Sequence, residues 1–155
     1  VYKRQNSLHE EYQRAMAGSS KEPLDILVNN LSPDQYHGWL DTADVGLFLY
    51  DPHRYEARCS GVLLEMLVRG VPVIVPDRCW LADQVRLAGG DGSIGFIYGE
   101  RSDIPRRMAQ LACDHDRIRE RAIQYAGAIA QCHSGKNTLR EMGLPSLTHS
   151  DSRAA

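Results

Sequence analysis

The 155-residue chain has no apolar run approaching the ~18 residues that a membrane-crossing helix needs, so no membrane span is expected. Charge of either sign is not in excess. Eighteen Lys and Arg against 20 Asp and Glu leave a net charge of −2, which excludes the strongly basic surface of a nonspecific nucleic-acid binder. The four cysteines, Cys59, Cys79, Cys113 and Cys132, form no Cys-x-x-Cys pair, which removes the common zinc and dithiol motifs. They are expected to be reduced thiols of a cytoplasmic protein. Internal repeats and low-complexity tracts are missing too. An initiator methionine is also missing, and Val1-Tyr-Lys-Arg-Gln5 resembles translated sequencing-adaptor sequence. Residues 1–6 are therefore read as a non-native leader, and the chain as an N-terminally truncated fragment.

What is present suits one globular domain, with 43% apolar and 25% charged residues. The pattern alternates helices and strands. Helical spacing is expected at Ser7–Ala17, and an apolar strand at Leu24–Val28. Ser32-Pro33-Asp34 offers an N-cap, an N1 proline and a first-turn acid for a helix with Tyr36, Trp39 and Leu40 inward. Ala43–Tyr50 reads as a buried strand. A polar loop, Asp51 to Cys59, leads into the stretch around which the chain is organised.

In that stretch Ser60 is an N-cap type, and Val62, Leu63, Met66 and Leu67 recur at helical spacing up to Arg69. Gly70 stands at the C′ position, and Val71–Val75 is a β-branched run that suits a strand covered on both faces. Free N–H groups at such a helix start, with the helix dipole behind them, make an anion site. Glu65, one turn further in, can accept hydrogen bonds from hydroxyls. Downstream, helices are expected over Leu81–Leu87, Asp103–Ala112, Asp116–Cys132 and Lys136–Met142, with a strand at Gly95–Tyr98. Gly89-Gly-Asp-Gly92 is a turn, and residues 144–155 are a polar tail. The fold class that follows is α/β: a Rossmann-like parallel sheet with flanking helices, its ligand crevice beyond the strands' carboxyl ends.

The segment from Ala57 to Pro76 resembles the donor-binding motif of GT-B glycosyltransferases, most closely the family 4-like retaining enzymes. That motif is a glutamate, seven intervening residues and a second glutamate, then Met or Leu, a glycine and Pro-Val-Ile/Val. The resemblance runs from about Pro23 to Gly143. It implies that residues 7–143 are the C-terminal, nucleotide-sugar-binding half of a GT-B fold, its first strand missing. Glu65 matches the second glutamate, which binds the ribose, and Ser60, Gly61 and Val62 match the diphosphate loop. Asn30 and Leu31 lie where the family's backbone holds the base. Ala57 stands in place of the first glutamate, the residue that touches the transferred sugar, and Glu56 falls one place early.

The implied function is transfer of a hexose from a UDP-, GDP- or ADP-sugar to an acceptor hydroxyl, the acceptor bound by an absent N-terminal half. The fragment alone is expected to transfer nothing. Neither cofactor nor metal is implied. Two alternatives remain open: half of a non-hydrolysing UDP-sugar epimerase, or a non-catalytic nucleotide-binding domain, which Ala57 favours. Arg54 and Arg58 flank the loop and have the charge to neutralise a diphosphate, although loop arginines are more often solvated.

Overall fold

Seven consecutive residues, Gly70 to Pro76, are buried, and the last four of them form the central strand, β2 (Val73–Pro76). The computed structural model describes residues 30–143. The expected helix at 7–17, the strand at 24–28, the leader and the tail lie outside them. Residues 1–39 and 40–155 form two separate compact units.

In the first unit the described chain enters helix α1 (Pro33–Asp41) through a capping box. The Ser32 Oγ accepts from the Gln35 N–H at 3.3 Å, and the Ser32 N–H donates to Gln35 Oε1 at 3.0 Å. Of the three residues expected inward, only Leu40 is fully buried, whereas Trp39 is 53% exposed. Over nine residues, a helical stripe does not say how wide the covering partner is.

The second unit is built on β2. Strand β1 (Gly46–Leu47) pairs with it in parallel, Gly46 opposite Val73, and β3 (Gly95–Tyr98) pairs in parallel on the other side. The order is β1-β2-β3. Helix α2 (Gly61–Val68) connects the first pair and α3 (Trp80–Leu87) the second, as parallel pairing requires. After β3 come α4 (Ile104–Cys113), α5 (His115–Cys132) and α6 (Gly135–Glu141). Together these form a Rossmann-like α/β arrangement of three strands and flanking helices.

A strand with all four residues buried needs cover on both sides. On one face Ile74 joins Phe96, Tyr98, Leu111 and Ile118, so α4 and the start of α5 supply that cover. On the other, the Val73 side chain lies beside Gly46, where a Cβ would also crowd Met66 of α2. Strand β1 is shorter than the expected Ala43–Tyr50. Its last ladder bond runs from the Phe48 N–H to the Ile74 carbonyl, 2.9 Å, and Leu49 is already 55% exposed. There the chain turns off the sheet. Tyr98 Oη donates to the Phe48 carbonyl at 2.8 Å, and Tyr50 stacks on Tyr55 with ring centroids 4.4 Å apart.

The two outer edges differ. On β3, the outward Ile97 N–H donates to Asp91 Oδ1 (2.8 Å), and the Gly92 N–H donates to the Gly95 carbonyl (2.8 Å). The glycine-rich turn thus seals this edge against further pairing, with Arg107 holding Asp91 at 2.8 Å.

Two glycines are required by close backbone approach. At Gly95 (φ 158°) a Cβ would overlap the Val73 carbonyl oxygen. Gly70 ends α2 at φ 68°, and a Cβ there would lie 3.0 Å from Ile123 Cα and 3.1 Å from its nitrogen, on α5. Gly70→Ala must therefore both strain its own backbone and push α5 away. The expected loss is about 2–4 kcal/mol, read as a lower urea midpoint. A shift equivalent to less than ~0.5 kcal/mol, the scatter of ordinary surface substitutions, would show that α2 and α5 do not meet here.

Candidate functional site

The loop from β1 to α2 ends at Ser60, which is buried and extended (φ −112°, ψ 113°). Its Oγ accepts from the Leu63 N–H at 3.3 Å, and its carbonyl accepts from the Leu64 N–H at 3.2 Å. The Gly61 and Val62 N–H groups have no acceptor among the described residues. Gly61 is exposed, and a Cβ built on it meets nothing within 4 Å. The first turn of α2 therefore offers two free donors, and space in front of one of them.

Glu65 follows one turn later. Side chains of an α-helix lean toward its N-terminus, so Glu65 covers the turn that carries Gly61 and Val62. The Glu65 Oε2 is buried and has no hydrogen-bond partner. The nearby cation does not serve it: Arg69 Nη1 donates to the Glu65 backbone carbonyl at 2.9 Å, and Nε to Asp41 at 2.7 Å. A buried, unsatisfied carboxylate oxygen is costly, and a donor from outside the described residues would relieve it.

A second feature lies beyond the strands' carboxyl ends. A cleft of about 350 Å³ is lined by Pro52, His53 and Glu56 after β1, Asp77 and Arg78 after β2, and Gly99 and Glu100 after β3. Three loops thus converge where an open parallel sheet places its ligands. Arg78 stands at φ 56°, its N–H donating to Asp77 Oδ1 at 2.6 Å. Asp77 is tied to Arg86 by a side-chain hydrogen bond. That bond, helped by the Arg78 amide, holds the Asp77 carboxyl below the usual carboxylate range, and the same pairing raises Arg86. At the third wall, Asp103 Oδ2 accepts from the Gly99 and Glu100 N–H groups, and with Arg106 this depresses the Asp103 carboxyl.

Of the residues singled out in the sequence, Ser60, Gly61, Val62 and Glu65 share one helix start. Arg54 and Arg58 are exposed. Arg54 turns toward Asp51, 4.0 Å away, and neither arginine lines the cleft. Asn30, exposed, and Leu31, half-buried, lead into α1 in the other unit. Ala57 is exposed, and Glu56 rather than Ala57 lines the cleft. Trp80, expected as a packed loop aromatic, opens α3 and meets the His133 ring edge-on. All four cysteines are free thiols, with Cys79 buried and the other three exposed. An Asp-x-Asp spacing does occur, Asp114-His-Asp116. It belongs to the start of α5, where Asp114 pairs with Arg117 at 2.8 Å. Among the described residues no group of three or more His, Cys, Asp or Glu side chains is arranged to hold a metal ion.

Asp77 and Arg78 carried no sequence signal. They follow a strand in a loop with no motif, and only the fold brings them opposite His53 and Glu56. Comparisons with protein-family models, with curated proteins and with solved structures gave no match.

Two outcomes follow from this geometry. Ser60→Ala removes the cap and is expected to cost about 1 kcal/mol in thermal or urea unfolding. An unchanged stability would show that the cap bond contributes nothing. The Asp77 carboxyl is depressed in the folded state, so its contribution is complete above the unfolded aspartate pKa of about 4. It is lost as pH falls through the lower folded value. Asp77→Asn should therefore lower stability at neutral pH and flatten the dependence below about pH 4. An acid limb as steep as the parent's would assign that limb to other carboxylates.

Proposed function

We propose that the chain is the nucleotide-sugar-binding half of a retaining GT-B-like glycosyltransferase. The diphosphate of a UDP-, GDP- or ADP-sugar sits at the start of α2, and Glu65 takes the ribose hydroxyls. The observation that carries this reading is the unpartnered Glu65 Oε2, set over a helix start with two free N–H groups. Separately, each feature has a bland explanation. Together they supply donors for an anion and, within one turn, an acceptor for hydroxyls. A nucleoside diphosphate carries both chemistries at that spacing.

In the whole enzyme the helix start would act on the leaving group. Negative charge builds on the diphosphate as the glycosidic bond breaks, and preorganised N–H donors favour that charge without reorganising. The hexose passes to an acceptor hydroxyl bound by another domain, and holding the two reactants together supplies much of the remaining acceleration. Ala57 keeps the second reading alive. If sugar contact required a carboxylate at that position, the domain would bind a nucleotide without transferring a sugar.

Glu65→Gln separates binding from folding. Removing a half-desolvated charge should leave the unliganded protein as stable as the parent, or more stable by about 1 kcal/mol. Affinity for the best of UDP, GDP and ADP should fall roughly ten- to a hundredfold, as expected for losing charge-assisted hydrogen bonds worth about 1.5–3 kcal/mol. Isothermal titration and thermal melts read the two effects. Unchanged affinity with lowered stability would make Glu65 a structural residue and remove the main support for this reading.

Ala57→Glu tests the sugar contact. The added carboxylate is expected to tighten the nucleotide sugar more than the free nucleotide. Equal gains for both would mean that the new charge acts elsewhere.

A further inference from the structure

The cleft at the strand ends has a charge balance that says which sugar it admits. Its walls carry three carboxylates, Glu56, Asp77 and Glu100, against one guanidinium, Arg78, with His53 between. Arg86 pairs with Asp77 and cancels that charge. Glu56 and Glu100 then outnumber Arg78 by one negative charge. The Glu56 carboxylate, the Arg78 guanidinium and the His53 ring have no hydrogen-bond or ion-pair partner among the described residues. This pocket is unlike the start of α2, where the free groups are all donors. A diphosphate suits the helix start and is repelled by the cleft. A polyol, which donates and accepts at neighbouring atoms, suits the mixed lining. The two sites are joined by sequence as well, since Glu56 stands four residues before Ser60.

Resting on the nucleotide-sugar reading above, we infer that the cleft is the sugar subsite. We further infer that Glu56 and Glu100 make it selective for a neutral or amino-bearing hexose over a hexuronate. A carboxylate on the sugar would meet two uncompensated carboxylates and only one arginine. At a separation of 4–6 Å near a protein surface, one excess like charge is enough for roughly tenfold discrimination. The choice of hexose is thus made by charge, not by an aromatic platform: no aromatic side chain lines the cleft.

The test uses the full chain and isothermal titration. UDP, GDP and ADP are compared first, and the tightest is carried forward as its neutral hexose conjugate and its hexuronate conjugate. The expected result is a roughly tenfold preference for the hexose form. The ratio should fall toward one in the Glu56→Gln, Glu100→Gln double variant. Repeating the titrations at raised ionic strength should shrink the preference in the parent. Equal or tighter binding of the hexuronate by the parent would overturn the inference and assign the subsite to Arg78. A preference that persists in the double variant would also overturn it. If none of the three nucleotides binds, the nucleotide-sugar reading itself fails, and the subsite falls with it. Thermal melts of the double variant show whether a lost preference reflects lost folding.

Discussion

The structure of residues 40–143 depends on one constraint: β2 lies between two strands and under two helical layers, so nothing about it can be exposed. Its parallel neighbours must be reached by crossovers, which fixes α2 and α3. Its faces must be covered, which brings α4 and α5 to Ile74 and α2 to the Val73 side. The backbones approach closely enough to require glycine at Gly70 and Gly95. The candidate site is a consequence. A helix that must begin just above the sheet exposes its first N–H groups at the sheet's carboxyl edge, and the three loops leaving the strands have nowhere else to meet.

Much of this was legible in the chain. The β-branched run after Gly70 and the apolar spacing of Val62 to Leu67 placed α2 and β2 within about two residues. Gly70 was read correctly as a helix terminator because the left-handed backbone there has a chemical signature. The overlong β1 has a physical cause. Leu47, Phe48, Leu49 and Tyr50 are all apolar or aromatic, but pairing stops where a four-residue partner runs out and the Tyr98 hydroxyl takes the Phe48 carbonyl. Trp39 misled for a related reason, since helical phase gives a direction without saying how much surface waits there.

The site was legible only in part. Ser60, Gly61, Val62 and Glu65 are contiguous, so local spacing was enough to group them. The cleft is not contiguous. Its walls come from three loops 40 to 50 residues apart in sequence, and the pairing of Asp77 with Arg86 depends on where α3 begins. Arg54 and Arg58, chosen for closeness in sequence, turned out exposed, and Arg78 is the arginine that reaches the cleft. Charge near a loop in sequence is a poor guide to charge near a ligand. Asp91 shows the same limit from the other side: read as part of a turn, it also seals the β3 edge.

The central claim is that the first turn of α2 and Glu65 form one nucleotide site. Its most direct test is an amide-resolved NMR titration of the chain with UDP, GDP and ADP. The account predicts saturable shifts concentrated at Gly61, Val62 and the amides around Glu65 for at least one nucleotide, with the β3 edge at Ile97 unmoved. Saturable shifts centred on the groove between α4 and α5, or none at Gly61 and Val62 at millimolar nucleotide, would contradict it.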